Sequence, residues 1–260
     1  MKLFQMEHVT ICYNGNPIVE DLNFELEQGE ILGIVGESGS GKSTIIKAIM
    51  SILGNEGEIT EGNIWYKGEN LVRISEKELR RYLGPELGII FQDCKASLCP
   101  VRKIGVQICD AIRAHEKVSV EEIRKRAFQI MKKIGLNEPE RIWKSYPFQL
   151  SGGMNQRVGI CMAVLQNPQL LLADEPTSAL DVTVQKQVIE ELISMKEKYQ
   201  TSMIIVTHNI GVVRKMADKV MILKDGRICD YGKTDAILEN PTDQYSKQLV
   251  NSVLKLNRKV

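Results

Sequence analysis

A glycine-rich segment in the N-terminal part of this sequence limits the possible folds more than any other feature. It matches the pattern GxxxxGK[ST] with, in order, Gly36, Glu37, Ser38, Gly39, Ser40, Gly41, Lys42 and Ser43. The apolar run Ile31–Val35 precedes it, and a helix-period run from Thr44 to Leu53 follows it, which we expect to end at Gly54. A strand, a tight glycine turn and a helix in this order predict a phosphate-binding loop.

The residue types in this loop explain how it would bind phosphate. Glycines let successive backbone N–H groups point at the β- and γ-phosphates, and the following helix adds the positive end of its dipole. Lys42 is expected to neutralise phosphate charge, and the Ser43 hydroxyl is suited to hold Mg²⁺. A chance turn rich in glycine and serine is the alternative, and the strand and helix on either side argue against it.

A second candidate for phosphate chemistry is the acidic pair Asp174 and Glu175, at the end of the apolar run Leu170–Asp174. Ligands of a parallel sheet bind at the carboxyl ends of its strands, so both acids are expected to face the phosphate loop. An aspartate there can bind Mg²⁺ through its water shell. A glutamate one residue on can orient and polarise an attacking water. Without the phosphate loop, the same pair would read equally well as a solvated turn.

Apolar runs that alternate with helix-period segments predict an α/β fold, with a parallel sheet flanked by helices. The predicted buried strands are Ile31–Val35, Leu87–Phe91, Leu170–Asp174, Met203–Thr207 and Val220–Leu223. The N-terminal part differs, because Leu22, Phe24 and Leu26 alternate with polar residues. This alternation predicts an antiparallel sheet with one buried face, to which Ile64–Lys67 would also belong.

Helical patterns fill the interval 93–165, which we interpret as a helical insertion. Capping boxes open two helices, at Ser75 with Glu78 and at Ser119 with Glu122. The second helix is expected to stop at Gly135. Its apolar face is formed by Ile123, Ala127, Ile130, Met131 and Ile134. A further helix is predicted over Val182–Tyr199, with a stripe of Val184, Val188, Leu192, Met195 and Tyr199.

Charge, hydropathy and cysteine spacing exclude several classes of protein. The formal net charge is only +1, so no broad basic surface indicates a nucleic-acid partner. The apolar runs are far shorter than the roughly 20 residues of a membrane-spanning helix, and no signal peptide is recognisable, so we expect a cytosolic chain. The six cysteines form no CxxC pair and are expected to be free thiols.

The string Leu150-Ser151-Gly152-Gly153-Met154-Asn155-Gln156-Arg157 predicts a second anion site, because free amides would open the helix that follows. It also resembles the signature motif of the ABC ATPases, and the chain resembles that family along nearly its whole length. The resemblance implies a P-loop NTPase core of the ABC ATPase type over 1–92 and 166–235. An N-terminal antiparallel β subdomain would belong to this core. The insertion at 93–165 would be the helical subdomain, and 236–260 a C-terminal helical tail.

The resemblance also implies functions for single residues. Tyr13 would stack on the adenine of ATP, although a strand-end tyrosine is its plain alternative. Gln92 would contact Mg²⁺ and the attacking water, Asp174 would bind Mg²⁺, and Glu175 would be the catalytic base. His208 would contact the γ-phosphate. The loop residues from Gly36 to Ser43, with Thr44, would hold the triphosphate.

The active unit implied by the resemblance is a head-to-tail dimer with two ATP molecules between its subunits. Ser151, Gly152 and Gly153 would bind the ATP held by the opposite phosphate loop. Asp181 would lie in the loop that crosses the dimer interface, and it would also suit a helix N-cap.

Within the family, three stretches resemble the ATPase subunits of oligopeptide and nickel importers: 91–100, 146–150 and 240–245. Cys94, Phe148 and Asn209 depart from the residues usual in that group. The expected partners are two permease subunits that dock near Gln92–Gly105, a second related ATPase and, indirectly, an extracytoplasmic solute-binding protein. The chain would be cytoplasmic and peripheral on the inner face of the membrane. An exporter ATPase, a non-transport ATPase and a non-hydrolysing regulatory subunit are the alternatives.

Overall fold

The structure, a computed structural model, describes residues 2–256, with side chains as far as Ser252. The described residues form two compact units, one made of residues 2–79 with 202–256 and the other of Arg80–Thr201. The last four residues of the predicted C-terminal tail lie outside the described residues. None of the helices in residues 2–256 has the length and apolar character needed to span a membrane.

The first unit contains an antiparallel sheet in the order β2-β1-β4-β5. Its strands are β1 Lys2–Tyr13, β2 Asn16–Glu27, β4 Gly57–Tyr66 and β5 Glu69–Asn70. Leu22, Phe24 and Leu26 are buried, which confirms the predicted one-sided strand. The strand predicted at Ile64–Lys67 is longer than expected. It begins at Gly57 and ends at Tyr66, because Lys67 turns the chain with a φ of 50°.

This unit also contains a second, mainly parallel set of four strands, in which β3 lies between β8 and β9. The strands are β3 Ile31–Val35, β8 Ser202–Val206, β9 Lys219–Lys224 and β10 Arg227–Lys233. Strand β3 pairs in parallel with β8 and β9, and β10 returns antiparallel to β9. All five residues of β3 are buried, as the continuous apolar run predicts.

The first unit also holds the helices α1 Lys42–Ile49, α9 Ile210–Met216, α10 Thr234–Glu239 and α11 Gln244–Leu256, and α2 Glu76–Tyr82 leads out of it. Helix α1 ends earlier than the predicted Leu53. Ser51 takes the left-handed conformation with a φ of 54°, and the N–H groups of Ser51 and Ile52 bond back to Ala48 and Lys47. This arrangement is a Schellman-type cap, so helix α1 ends before Gly54.

In the second unit β6 Leu87–Ile90 and β7 Leu170–Asp174 pair in parallel. Between them the described chain is helical and contains no strand, as predicted for this interval. It holds α3 Cys94–Ser97, α4 Ile104–Arg113, α5 Val120–Lys133, α6 Pro139–Lys144, a 3-10 turn at Pro147–Gln149 and α7 Gly152–Val164. The boundaries of a separate helical subdomain stay a prediction.

Two helix predictions in this unit have different outcomes. Gly135 ends α5 with a φ of 76° while the N–H of Leu136 bonds back to Met131, as expected for a helix-stopping glycine. Helix α8 spans Val182–Tyr199 as predicted. The predicted apolar stripe is wrong at Tyr199, which is 56% exposed because it occupies the last position of the helix.

Candidate functional site

The phosphate loop is already organised around the ammonium group of Lys42. Its Nζ donates to the carbonyl oxygens of Gly36 at 2.9 Å and Glu37 at 2.6 Å, and to the Ser40 hydroxyl at 3.3 Å. Lys42 is only 7% exposed. The structure therefore places the Lys42 ammonium group inside the loop, next to the loop's own backbone carbonyls.

The loop glycines are required by the backbone and by close contacts. Gly39 and Gly41 have φ values of 85° and 95°, which non-glycine residues rarely adopt. A β-carbon on Gly36 would collide with the carbonyl oxygen of Leu223, and one on Gly41 would press on the side chain of Val19. The loop therefore fits closely against β9 on one side and β2 on the other.

Helix α1 begins at Lys42 with its N-terminal N–H groups turned toward the loop. In the described structure no side chain caps this helix, and its first turn contains no acidic residue. Ser43 and Thr44, in that first turn, are partly buried. Uncapped amides at the positive end of a helix dipole form a site for an anion such as a phosphate group.

A contact that the sequence did not reveal joins this loop to the C-terminal helix. The N–H of Glu37 donates to the phenol oxygen of Tyr245 in α11 at 3.0 Å. Tyr245 lies in one of the three importer-like stretches, and that position was the only signal for it in the sequence.

His208 follows β8 at the edge of the sheet where the phosphate loop follows β3. Ile34 and Val206 are register partners, and the N–H of Thr207 donates to the carbonyl of Ile34 at 3.1 Å. His208 is exposed. Asn209 caps α9 by accepting the N–H of Gly211 at 2.9 Å, so it performs the capping that an aspartate would perform.

In the second unit the acidic pair and Gln92 share one edge of a parallel strand pair. Ile90 of β6 lies opposite Ala173 of β7, so Gln92 and Glu175 each follow two residues later. Asp174 is 8% exposed at the end of its strand. Glu175 has a φ of 45°. Such a conformation costs a non-glycine residue on the order of 1–3 kcal/mol and clusters at functional sites.

Gln156 of α7 ties these two strand ends together, and sequence reasoning did not single it out. Its side-chain amide donates to the carbonyl of Phe91 at 3.2 Å and to that of Pro176 at 3.3 Å. These carbonyls flank Gln92 and Glu175 in the chain, and Gln156 is 2% exposed. The buried amide therefore fixes the backbone beside both predicted catalytic residues.

The thiol of Cys94 is a second donor to the carbonyl of Phe91, at 3.2 Å. Burial raises the pKa of Cys94 to about 12, so the thiol stays protonated and can donate. Asp93 caps the short helix α3 by accepting the N–H of Ala96. In the described chain all six cysteines are free thiols, as predicted, and Cys99 is exposed.

Ser151, Gly152 and Gly153, called the signature turn below, lie at the start of α7. Ser151 caps the helix by accepting the N–H of Met154 at 3.3 Å, and a β-carbon on Gly152 would meet open space. Gly153 packs against the carbonyl of Ala179. Arg157 donates to the carbonyls of Gly153 and Gly135, which joins this turn to the end of α5. Ser151 and Gly152 are therefore presented at the surface of this unit, with amides available to a ligand.

Asp181 and Tyr13 lie at element ends. Asp181 caps α8 by accepting the N–H groups of Thr183 at 3.1 Å and Val184 at 3.0 Å, which confirms its predicted structural function. Tyr13 ends β1, and its ring edge lies against Gly57 of β4. Part of the Tyr13 side chain remains exposed to solvent.

The predicted Mg²⁺ ligands Ser43, Gln92 and Asp174 each offer an oxygen donor: a hydroxyl, an amide carbonyl and a carboxylate. This donor set fits Mg²⁺, which prefers hard oxygen ligands and usually takes one or two carboxylates together with phosphate oxygens and water. In the described part of the chain, no group of three or more His, Cys, Asp or Glu side chains is arranged to hold a metal ion.

Comparison with known proteins identifies similar sequences and folds. The sequence profile of the ABC transporter family matches residues 19–178. The oligopeptide transport ATP-binding protein OppD of Bacillus subtilis is 44% identical over 236 residues, which are 90% of this chain and 66% of OppD. The metal-staphylopine import system ATP-binding protein CntD of Staphylococcus aureus is 36% identical over 259 residues, 99% of this chain and 95% of CntD.

A solved structure with a similar fold is the dimeric ATP-binding cassette MJ0796 in a post-hydrolysis state with ADP and phosphate. It is 30% identical, with a TM-score of 0.81, and the match covers 89% of this chain and 99% of the cassette.

Proposed function

This chain belongs to the ABC transporter family, and from that premise we propose that it is the ATP-hydrolysing subunit of an importer for small peptides or metal-chelate solutes. The match to the dimeric cassette with ADP and phosphate supports nucleotide binding, ATP hydrolysis and dimer formation. The names of OppD and CntD support uptake of a peptide or a metal complex. The observation that carries the proposal is the phosphate loop, with the buried Lys42 ammonium beside the uncapped start of α1.

Each residue of the site has a defined task in this proposal. Amides of the loop and of α1 bind the β- and γ-phosphates, and Lys42 neutralises their charge. Ser43, Asp174 and Gln92 supply oxygen atoms for a Mg²⁺ ion, which neutralises charge on the phosphates. Glu175 holds the attacking water and accepts its proton, and His208 contacts the γ-phosphate. Tyr13 stacks on the adenine ring.

Dimer formation completes the site in the proposal. Ser151, Gly152 and Gly153 bind the ATP held by the opposite subunit, using the open face of the signature turn. A second, related ATPase is the proposed partner subunit. Two permeases span the membrane, and a solute-binding protein delivers the solute to them, so this chain works at the cytoplasmic face.

Exposed apolar side chains in the second unit suggest where a permease docks. Val101 is 79% exposed and lies within the predicted docking segment Gln92–Gly105. Gln107 holds the loop that presents it, because its side chain bonds to the N–H and C=O of Cys99 and to the carbonyl of Arg102. Phe148, which is 65% exposed, stacks on Tyr146. A rigid loop with apolar side chains fits a partner that buries them.

ATP binding and hydrolysis by the purified protein test the proposal. Lys42→Ala should weaken ATP binding at least tenfold, since a phosphate charge is left without its partner. Isothermal titration with ATP and a phosphate-release assay measure the two effects. ATP affinity within about twofold of the wild type would contradict the assigned function of Lys42. Co-purification with membrane permeases tests the importer assignment separately.

A further inference from the structure

One peptide group of the phosphate loop is held at both ends. The carbonyl of Gly36 accepts the Lys42 ammonium at 2.9 Å, and the N–H of the same peptide group, from Glu37, donates to Tyr245 at 3.0 Å. The C=O and N–H of a trans peptide point in opposite directions. Tyr245 therefore holds this peptide plane from the side opposite Lys42. A hydrogen bond to the N–H also polarises the carbonyl and strengthens its bond to the ammonium.

Tyr245 is itself firmly placed. It is 8% exposed and belongs to a buried cluster with Val35, the last residue of β3. The ammonium of Lys224 lies 5.0 Å from the centre of its ring, which adds a cation–π contact. A buried ring has few alternative rotamers, so it can hold the loop in place. An exposed side chain would move together with the loop and could not hold it.

The start of α11, where Tyr245 lies, is fixed by a buried carboxylate on β10. Asp230 accepts the N–H groups of Thr242 at 3.2 Å and Asp243 at 3.1 Å, and it also bonds to the Thr242 hydroxyl. Asp243 in turn accepts the N–H of Tyr245 at 2.8 Å. A chain of hydrogen bonds thus runs from β10 through the first turn of α11 to the phosphate loop.

We propose that Tyr245 is a positioning residue for ATP binding, which acts through the N–H of Glu37 to hold the phosphate loop and Lys42 in the binding conformation. This inference rests on the proposed function, because it needs ATP as the ligand of the loop. Tyr245 contacts the backbone and is not a catalytic residue. Its loss should raise the Kd and KM for ATP and leave kcat at saturating ATP nearly unchanged.

Tyr245→Phe is the decisive variant, since it keeps the buried ring and removes only the hydroxyl. Tyr231→Phe is the matched control: the Tyr231 hydroxyl donates to the carbonyl of Glu25 at 2.9 Å and joins two strands elsewhere in the first unit. Loss of one hydrogen bond should weaken ATP binding about threefold to tenfold in Tyr245→Phe. Tyr231→Phe should bind ATP as the wild type does.

Isothermal titration with ATP, steady-state phosphate release and thermal unfolding are measured on all three proteins. The inference would be overturned if Tyr245→Phe bound ATP within twofold of the wild type. It would also be overturned if Tyr245→Phe and Tyr231→Phe lost ATP affinity equally. Failure of the wild type to bind ATP would contradict the proposed function itself, so the two failures are distinguishable.

Discussion

Gly159 of α7 leaves the space that the side chain of Cys94 fills. A β-carbon on Gly159 would overlap both the thiol and the β-carbon of Cys94. Cys94 also bonds to the carbonyl of Phe91, the residue before Gln92. The helix that begins with the signature turn is therefore packed directly on the segment that carries Gln92.

Gly159→Ala should destabilise the protein by about 1–3 kcal/mol, because Cys94 and the backbone around it must move. Helix propensity alone predicts the opposite sign, since alanine stabilises a helix interior relative to glycine. Gly152→Ala, in the first turn of the same helix, is the control, because its β-carbon meets open space. Thermal and urea unfolding of both variants compare the two effects. Equal or greater stability of Gly159→Ala would disprove the packing argument.

Glu175→Gln should lower ATP hydrolysis by about a hundredfold or more, because an amide cannot accept the proton of the attacking water. ATP binding should persist, and the variant should accumulate as an ATP-bound dimer, since loss of a carboxylate reduces charge repulsion near the γ-phosphate. Phosphate release and size-exclusion chromatography with ATP and Mg²⁺ measure these effects. Glu190→Gln, on the exposed face of α8, is the control. Near-normal phosphate release by Glu175→Gln would rule out its function as the base.

Tyr13→Ala should raise the KM for ATP several-fold and leave kcat unchanged, because stacking holds the base equally in the ground state and the transition state. The ring edge also packs on Gly57, so thermal unfolding must be measured beside the kinetics. A loss of stability with an unchanged KM would contradict adenine stacking and would show that Tyr13 is only a packing residue at the end of its strand.

Val101→Asp should weaken association with the permeases at least tenfold, because the apolar contact would bury an unpaired charge. Tyr199→Asp is the control, since Tyr199 is also exposed and apolar but lies at the end of α8. Co-purification with tagged permeases, together with thermal unfolding of both variants, measures the effect. Normal association of Val101→Asp would place the docking surface elsewhere.

Asp230→Asn should destabilise the protein by about 1–3 kcal/mol at neutral pH, since hydrogen bonds to a carboxylate are stronger than those to an amide. Burial alone raises the pKa of Asp230, but its bonds to Thr242 and Asp243 outweigh burial and lower it. The ionised form is thus favoured in the folded state. The ionised carboxylate therefore contributes to the free energy of unfolding. This contribution is present above the unfolded pKa of about 4 and is lost as the pH falls through the lower folded pKa. Urea unfolding between pH 3 and 7 should therefore show the two proteins converging at low pH, whereas a constant difference would contradict this assignment.

Local sequence patterns were sufficient for most of the fold. The runs Ile31–Val35 and Leu170–Asp174 are strands with the predicted bounds, and Val182–Tyr199 is a helix with the predicted bounds. The signal is local in each case. The two strands are continuous apolar runs, and the helix begins directly after its capping residue, Asp181. Ser51 shows the limit, because a non-glycine residue took the left-handed position of the cap and ended α1 early.

Parts of the site could not be read from local patterns, because they depend on distant residues. Glu37 and Tyr245 are far apart in the chain, and no periodicity relates a loop amide to a phenol in the last helix. Gln156 belongs to the signature string, yet its bonds to Phe91 and Pro176 become visible only when three segments are folded together. Motif spacing pointed to the residues that are predicted to contact a ligand, and it did not reveal the residues that support them.

The position of β3 determines when the phosphate loop can form during protein synthesis. Ile31 pairs with Met203, and Leu32 pairs with Lys219, so both neighbours of β3 leave the ribosome long after the loop does. The β1–β2 hairpin can form early from adjacent residues, whereas these parallel pairings must close long loops. The second unit, Arg80–Thr201, is also translated in between. A nascent chain therefore carries the loop sequence through most of its translation without the sheet that shapes it, and chains released early would have no formed nucleotide site.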